Sequence, residues 1–209
     1  MMLSSESDSD SFTPASPAAA SVRLFAAVAV PASVKQALSA WCGDIKEQLP
    51  FRKWVHEQDY HITLQFLGDT PADRVPAIVS ALHEAAAAAQ PFKLELAPLG
   101  VFGRRANPSV LWAGVDGDLK PLRLLQREVS RLLEPLGFVP EDRPYAPHLT
   151  LARNYAGAAA APFERSQLDR FTVPASVSVP WTVNAITLYV SRLQQRPMYE
   201  ILAAAEFPS

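Results

Sequence analysis

The chain is poor in the residues that build several common functional centres. It has one cysteine and four histidines in 209 residues. A lone Cys42 excludes a disulfide framework and a cysteine metal cluster. Beside Trp41 in a helical pattern, it reads as a buried, inert thiol in a reducing, cytoplasmic setting. No apolar run approaches the roughly 20 residues that a membrane helix needs, so no membrane contact is expected. There is no Gly-x-x-x-x-Gly-Lys-Ser/Thr loop and no Gly-x-Ser-x-Gly elbow, which argues against nucleotide-driven ligation and a serine nucleophile. There is also no His-Glu-x-x-His, and no metal ligand set or other cofactor is expected. Charge is scarce as well. The 19 basic and 21 acidic side chains nearly cancel, and without three acids in the first 21 residues the remainder carries a net +1. Such a body does not coat nucleic acid by bulk electrostatics, but it can recognise one or a few phosphates through local arginines.

What is present divides into two parts. Residues 1–21 are rich in Ser, Ala and Pro, with Glu6, Asp8 and Asp10 and no base. That composition buries too little apolar surface to offset chain entropy, so a disordered acidic tail is expected. Residues 22–209 are expected to form one two-lobed domain. Val22–Val30 reads as a buried strand, and Pro31 opens a helix with Val34, Leu38, Trp41, Ile45 and Leu49 on one stripe. A second helix runs from Pro71 through the Ala-rich segment to Ala89, and a third over about 119–136, ended by Gly137. Strands are expected at Phe92–Leu96, Ser109–Val115, Trp181–Ser191 and Met198–Ala203, with a short helix at Phe163–Arg170. Strands in pairs without regular βαβ spacing indicate an α+β architecture with antiparallel sheets. The repeated element order suggests an internal duplication.

The most informative feature is a tetrapeptide that occurs twice: His61-Ile62-Thr63-Leu64, and 87 residues later His148-Leu149-Thr150-Leu151. Alternation of polar and apolar residues makes each a half-buried strand. In Tyr60–Phe66 the pattern turns Ile62, Leu64 and Phe66 inward and His61, Thr63 and Gln65 outward. His and Thr then share one face, about 6.5–7 Å apart along the strand. Two such strands meeting at a cleft would surround a phosphate with two imidazoles and two hydroxyl donors. Metal-free phosphodiester chemistry needs that set, one imidazole neutral to accept a proton and one charged to donate it.

These residues resemble the two-histidine (2H) phosphoesterases, marked by paired His-x-Thr/Ser-x tetrads, and within them the RNA 2′,3′-cyclic phosphodiesterases formerly described as 2′-5′ RNA ligases. The likeness extends to Arg23–Ala26, His61–Gly68, Val110–Val115, Arg143–Arg153 and Leu188–Ser191, and covers roughly residues 22 to 203. It implies an α+β, two-lobed, pseudo-duplicated fold, with antiparallel sheets facing across a central cleft and helices outside. It also implies hydrolysis of a 2′,3′-cyclic phosphate on an RNA 3′ end or nucleotide to a 2′-phosphate, with His61 as acid and His148 as base. The residues alone leave that division open. A monomer is expected.

Thr63 and Thr150 are the candidate phosphate donors. Arg153 is a third, because relatives often carry Arg five residues after the second His. Strict alternation turns it away from His148, so this role requires a strand end or bulge near Ala152. Phe25 shares strand parity with Arg23 and is a tentative base-stacking residue, although an aromatic in a buried strand is more often core. Arg104 and Arg105, in the loop 103–108, are tentative RNA contacts. His56 and His83 lack the tetrad and read as surface residues. Two other readings stay open: a phosphoesterase acting on another cyclic phosphate or on 2′-5′ linkages, and a non-catalytic module that binds nucleotides or RNA ends.

Overall fold

A computed structural model describes residues 20–157 and 162–208. The expected acidic tail therefore lies outside the described residues except for its last two, of which Ser21 begins a strand.

The order of elements is β1 (Ser21–Ala29), α1 (Ala32–Ile45), β2 (Phe51–Trp54), β3 (His61–Pro71), α2 (Val75–Ala87), β4 (Phe92–Arg104), β5 (Asn107–Gly117), α3 (Leu119–Leu133), β6 (His148–Tyr155), β7 (Trp181–Val183), β8 (Ala185–Ser191) and β9 (Tyr199–Glu206). The segment expected as a short helix is a 3-10 helix, Arg165–Arg170. All strand pairs are antiparallel, in the order β7-β4-β5-β6-β3-β1-β8-β9, with β2 added to β6. The architecture is α+β, as expected.

The two lobes are joined into one sheet where β3 meets β6, through a single ladder pair, Ile62 with Leu149. They are not consecutive halves of the chain. One holds β1, β3, β8 and β9; the other holds β2, β4, β5, β6 and β7. The stretch read as strand over 181–191 forms two strands. β7 completes the β4 edge, and after Asn184 the chain crosses to pair β8 with β1.

One sheet face is covered by helices. In α3 the residues Leu122, Leu125, Val129 and Leu133 are buried; of the stripe expected from the sequence, Leu122, Leu125, Val129, Leu132 and Leu136, the last two are only half-buried and Leu133 takes the inward place. Each such side chain contributes about 1.5–3 kcal/mol through burial. Ile62, Leu64, Leu149 and Leu151 belong to this core, whereas Phe25, Ala27 and Tyr189 form a small separate cluster with Tyr199 packed on it.

Both tetrad strands carry a bulge at the same place. On β3, Ala26 pairs with Gln65 and Ala27 with Thr63, leaving Leu64 extra; a second bulge follows at Leu67. On β6, Leu111 pairs with Ala152 and Trp112 with Thr150, leaving Leu151 extra. In each case the extra residue lies three positions after the histidine, and its bulge reverses side-chain parity beyond it. This corrects the simple alternation read over Tyr60–Phe66. Gln65 is buried, bonded to Ser130 of α3 and to the Phe138 carbonyl, and Phe66 is 58% exposed. It also supplies the bulge that Arg153 needs to share a side with His148.

Candidate active site

The site is built around the Ile62–Leu149 pair. Both side chains are fully buried on the helix side, so the residues flanking them face the other way. In antiparallel register His61 is level with Thr150, and Thr63 with His148. The two histidines are therefore diagonal neighbours, a relation that puts residues about 7–8 Å apart and their Cβ atoms somewhat closer.

The rings are held alike. His61 Nδ1–H donates to the Asp59 carbonyl at 2.7 Å, and His148 Nδ1–H to the Ala146 carbonyl at 2.8 Å. A carbonyl can only accept, so each proton sits on Nδ1 and each neutral ring keeps its Nε2 lone pair for the site. The Thr63 hydroxyl lies 3.1 Å from His61 Nε2 and can donate to it.

Aromatic rings complete each wall. Phe25 lies 4.7 Å from His61 between centroids, and Tyr199 stands edge-on to it at 5.1 Å. Phe102 stands edge-on to His148 at 4.8 Å, with Trp112 at 6.2 Å. Gly100 makes room for Trp112, because a Cβ there would come within 2.2 Å of the indole.

Asp59 fastens the His61 wall in two ways. Its carbonyl holds the ring, and its buried carboxylate accepts main-chain N–H bonds from Met198 and Tyr199 at 2.9 Å. It thereby sets both the imidazole and the Tyr199 ring against it.

Burial pushes the His61 imidazole down to about 4. The Asp59 carbonyl and carboxylate oppose that shift, while Lys35 and the second imidazole add to it. Burial also lowers His148, with the Ala146 carbonyl and Glu141 opposing and the Arg153 cation assisting. Arg153 is therefore within electrostatic reach of His148. Both rings are neutral in the free protein at neutral pH.

The structure thus brings together His61, His148, Thr63, Thr150 and Arg153. It does not bear out base stacking by Phe25, which is 2% exposed and enclosed by His61, Tyr189, Phe66 and Tyr199. Arg105 is an exposed residue in the β4–β5 turn, beyond the level of Arg153. Sequence reasoning missed Phe66, which stands five residues after His61, as Arg153 stands five after His148. That shared spacing was the available signal. Cys42 is buried, and burial raises its thiol to about 11. Among the described residues, no three His, Cys, Asp or Glu are grouped to hold a metal ion, and no helix is long and apolar enough to cross a membrane.

Known proteins are similar to this chain. The family model described as LigT like Phosphoesterase matches residues 28–112 and again 115–199, one tetrad in each. An RNA 2′,3′-cyclic phosphodiesterase of Geobacillus stearothermophilus is 43% identical over 180 residues, 86% of this chain and 55% of that protein. The chain therefore matches little more than half the length of that relative. One of Thermus thermophilus is 31% identical over 188 residues, 87% of this chain and 88% of that protein. The crystal structure of E. coli LigT complexed with 3′-AMP superposes with a TM-score of 0.72 at 24% identity, covering 91% of this chain and all of that one. At that identity the likeness is one of fold.

Proposed function

Because this chain belongs to the LigT-like phosphoesterases, we propose that it hydrolyses a terminal 2′,3′-cyclic phosphate on RNA or a nucleotide to a 2′-phosphomonoester, using its two histidines as acid and base without a metal. The observation that carries this reading is the crossed register at Ile62–Leu149, which supports two imidazoles and two threonine hydroxyls around one phosphoryl group.

The strained five-membered ring needs proton management and charge stabilisation rather than a strong nucleophile. A water placed by neutral His148 loses its proton to Nε2 as its oxygen bonds to phosphorus. The P–O3′ bond breaks, and protonated His61 donates from Nε2 to the departing oxygen. Each role is worth about 10²–10⁴ in rate. Thr63, Thr150 and the Arg153 guanidinium stabilise the charge on the remaining phosphoryl oxygens.

The division of labour follows the family resemblance. The charges near the rings do not decide it: Asp59 favours a cation on His61 and Glu141 one on His148, while Lys35 and Arg153 respectively oppose it. The anionic substrate, entering between the rings, raises both above their free values. Exposed Phe66 supplies a face for the terminal base. A monomer in a reducing cytoplasm belongs to the same reading.

Incubation of an oligoribonucleotide ending in 2′,3′-cyclic phosphate, in excess EDTA, tests this directly. The expected product carries a 2′-phosphate only. A 3′-phosphate product would overturn the O3′ leaving group, and full inhibition by EDTA the metal-free chemistry. Saturable binding of 2′-AMP with no turnover of any cyclic phosphate would establish a binding module instead.

A further inference from the structure

On the imidazole face beyond Thr150 stands a cation that the mechanism above does not use. β3 pairs with β6 at Leu149, and β2 takes over that edge of β6 from Ala152 onward. There Trp54 pairs with Ala152 and Lys53 with Arg153. Ala152 is fully buried and Trp54 packs on the main core. The next pair along therefore points to the other side, the side of His148, and puts Lys53 directly across from Arg153. Residues so placed have Cβ atoms about 4.5–5.5 Å apart. The regular ladder ends just past them, where Asn154 takes a φ of 60° and the Phe51 and Tyr155 rings close edge-on against each other.

Like charges directly opposite on neighbouring strands repel. Arg23, Arg131, Arg143 and Arg192 each have a carboxylate partner. Among the described residues, no carboxylate pairs with Lys53 or Arg153, and both are exposed. On β5 the partners of Thr150 and Arg153 are two residues apart, Trp112 and Val110. The doubled charge is therefore about 7 Å beyond the level of Thr150 and His61, a gap that the flexible four-carbon stem of a lysine can bridge. It is aimed at the site: Arg153 acts electrostatically on His148 and on Tyr199, the ring that stands against His61.

We propose that Lys53 is a phosphate-binding residue, which with Arg153 holds the second negative charge that the phosphoryl group acquires during the reaction. The inference rests on the function proposed above. A 2′,3′-cyclic phosphate is a monoanion. When the water oxygen bonds to phosphorus and its proton passes to His148, the phosphoryl group carries two negative charges. Breaking of P–O3′, with a proton from His61 to O3′, leaves a monoester that loses its last proton at a pH of about 6. One guanidinium matches the substrate, whereas two cations match the reacting group and the product. Lys53 therefore contributes more to the rate and to product affinity than to substrate binding.

The test compares wild type with Lys53→Met, Lys53→Arg and Arg52→Gln, the last removing an equal charge one residue away. Affinity for 2′-AMP is measured at pH 8 and pH 5, single-turnover rate and KM on 2′,3′-cyclic AMP, and Tm without ligand. Lys53→Met is expected to weaken 2′-AMP about tenfold at pH 8, the size of effect that loss of a charged hydrogen bond gives, and much less at pH 5, where the phosphate is a monoanion. Its single-turnover rate should fall by a similar factor with KM less affected, and its Tm should be equal to or above wild type because the repulsion is relieved. Lys53→Arg should restore affinity and rate, and Arg52→Gln should leave them unchanged. If wild type turns over no cyclic phosphate, the proposed function fails, and the 2′-AMP affinities still decide the role of Lys53. An unchanged affinity at pH 8, an equal loss at both pH values, or an equal loss in Arg52→Gln overturns the proposal.

Discussion

The hydroxyl of Tyr145 donates to the main-chain carbonyl of Thr63 at 3.0 Å, joining the loop that precedes one tetrad to the strand that carries the other. The main chain of Tyr145 is held in turn, its carbonyl accepting from Arg123 of α3 at 3.0 Å. The proline-rich approach to His148 is thus pinned three residues before the imidazole. β3 and β6 themselves pair at one residue, Ile62 with Leu149. Removing the hydroxyl by Tyr145→Phe should cost about 1 kcal/mol, which corresponds to a Tm lower by about 2–4 °C for a domain of this size. A fall in kcat beyond the loss of stability is expected, since Thr63 and His148 then move independently. Thermal unfolding and steady-state kinetics check both.

The pH dependence has a definite sign. Both imidazoles are held below their ordinary value by burial, His61 at about 4. The profile of kcat/KM reports the free enzyme and that of kcat the complex. The kcat/KM profile is therefore expected to be bell-shaped with its optimum on the acidic side of neutrality. The kcat optimum is expected at higher pH, because bound phosphate raises both groups. Asp59→Asn removes a charge that favours protonated His61 and should move the alkaline limb to lower pH. Rate profiles over pH 4–9 measure these shifts, and coincident optima would contradict them.

Phe25 and Phe66 pair across β1 and β3 but should behave differently. Phe66→Ala removes an exposed ring and should raise KM by about tenfold with Tm nearly unchanged, given about 1–3 kcal/mol per stacked base. Phe25→Ala opens a cavity beneath His61 and should cost about 3–5 kcal/mol of stability. Unfolding and kinetics on both variants separate the two roles.

Much of this was legible in the residues. The tetrads gave the imidazoles, the hydroxyls and the strands that carry them. The stripe Leu122, Leu125, Val129 placed α3. Local pattern misled where an extra residue entered a strand. Leu64 and Leu151 are apolar like their neighbours, so nothing in the alternation marks them as bulges, yet they decide where Phe66 and Arg153 point. Long-range partners were also hidden. Asp59 reads as a loop acid until the fold brings Met198 and Tyr199, some 140 positions away, onto its carboxylate. The crossing at Asn184 is hidden for the same reason: one continuous strand-like stretch serves two lobes.

The central claim is that the imidazoles of His61 and His148, crossed over the Ile62–Leu149 pair, share one proton-transfer reaction. Turnover of a cyclic-phosphate-ended oligoribonucleotide by wild type, His61→Ala and His148→Ala tests it most directly. Each variant should lose at least about a hundredfold in kcat, with Tm close to wild type, and the double variant should be little worse than either single one. A folded variant of either kind that keeps most of its activity would contradict the account.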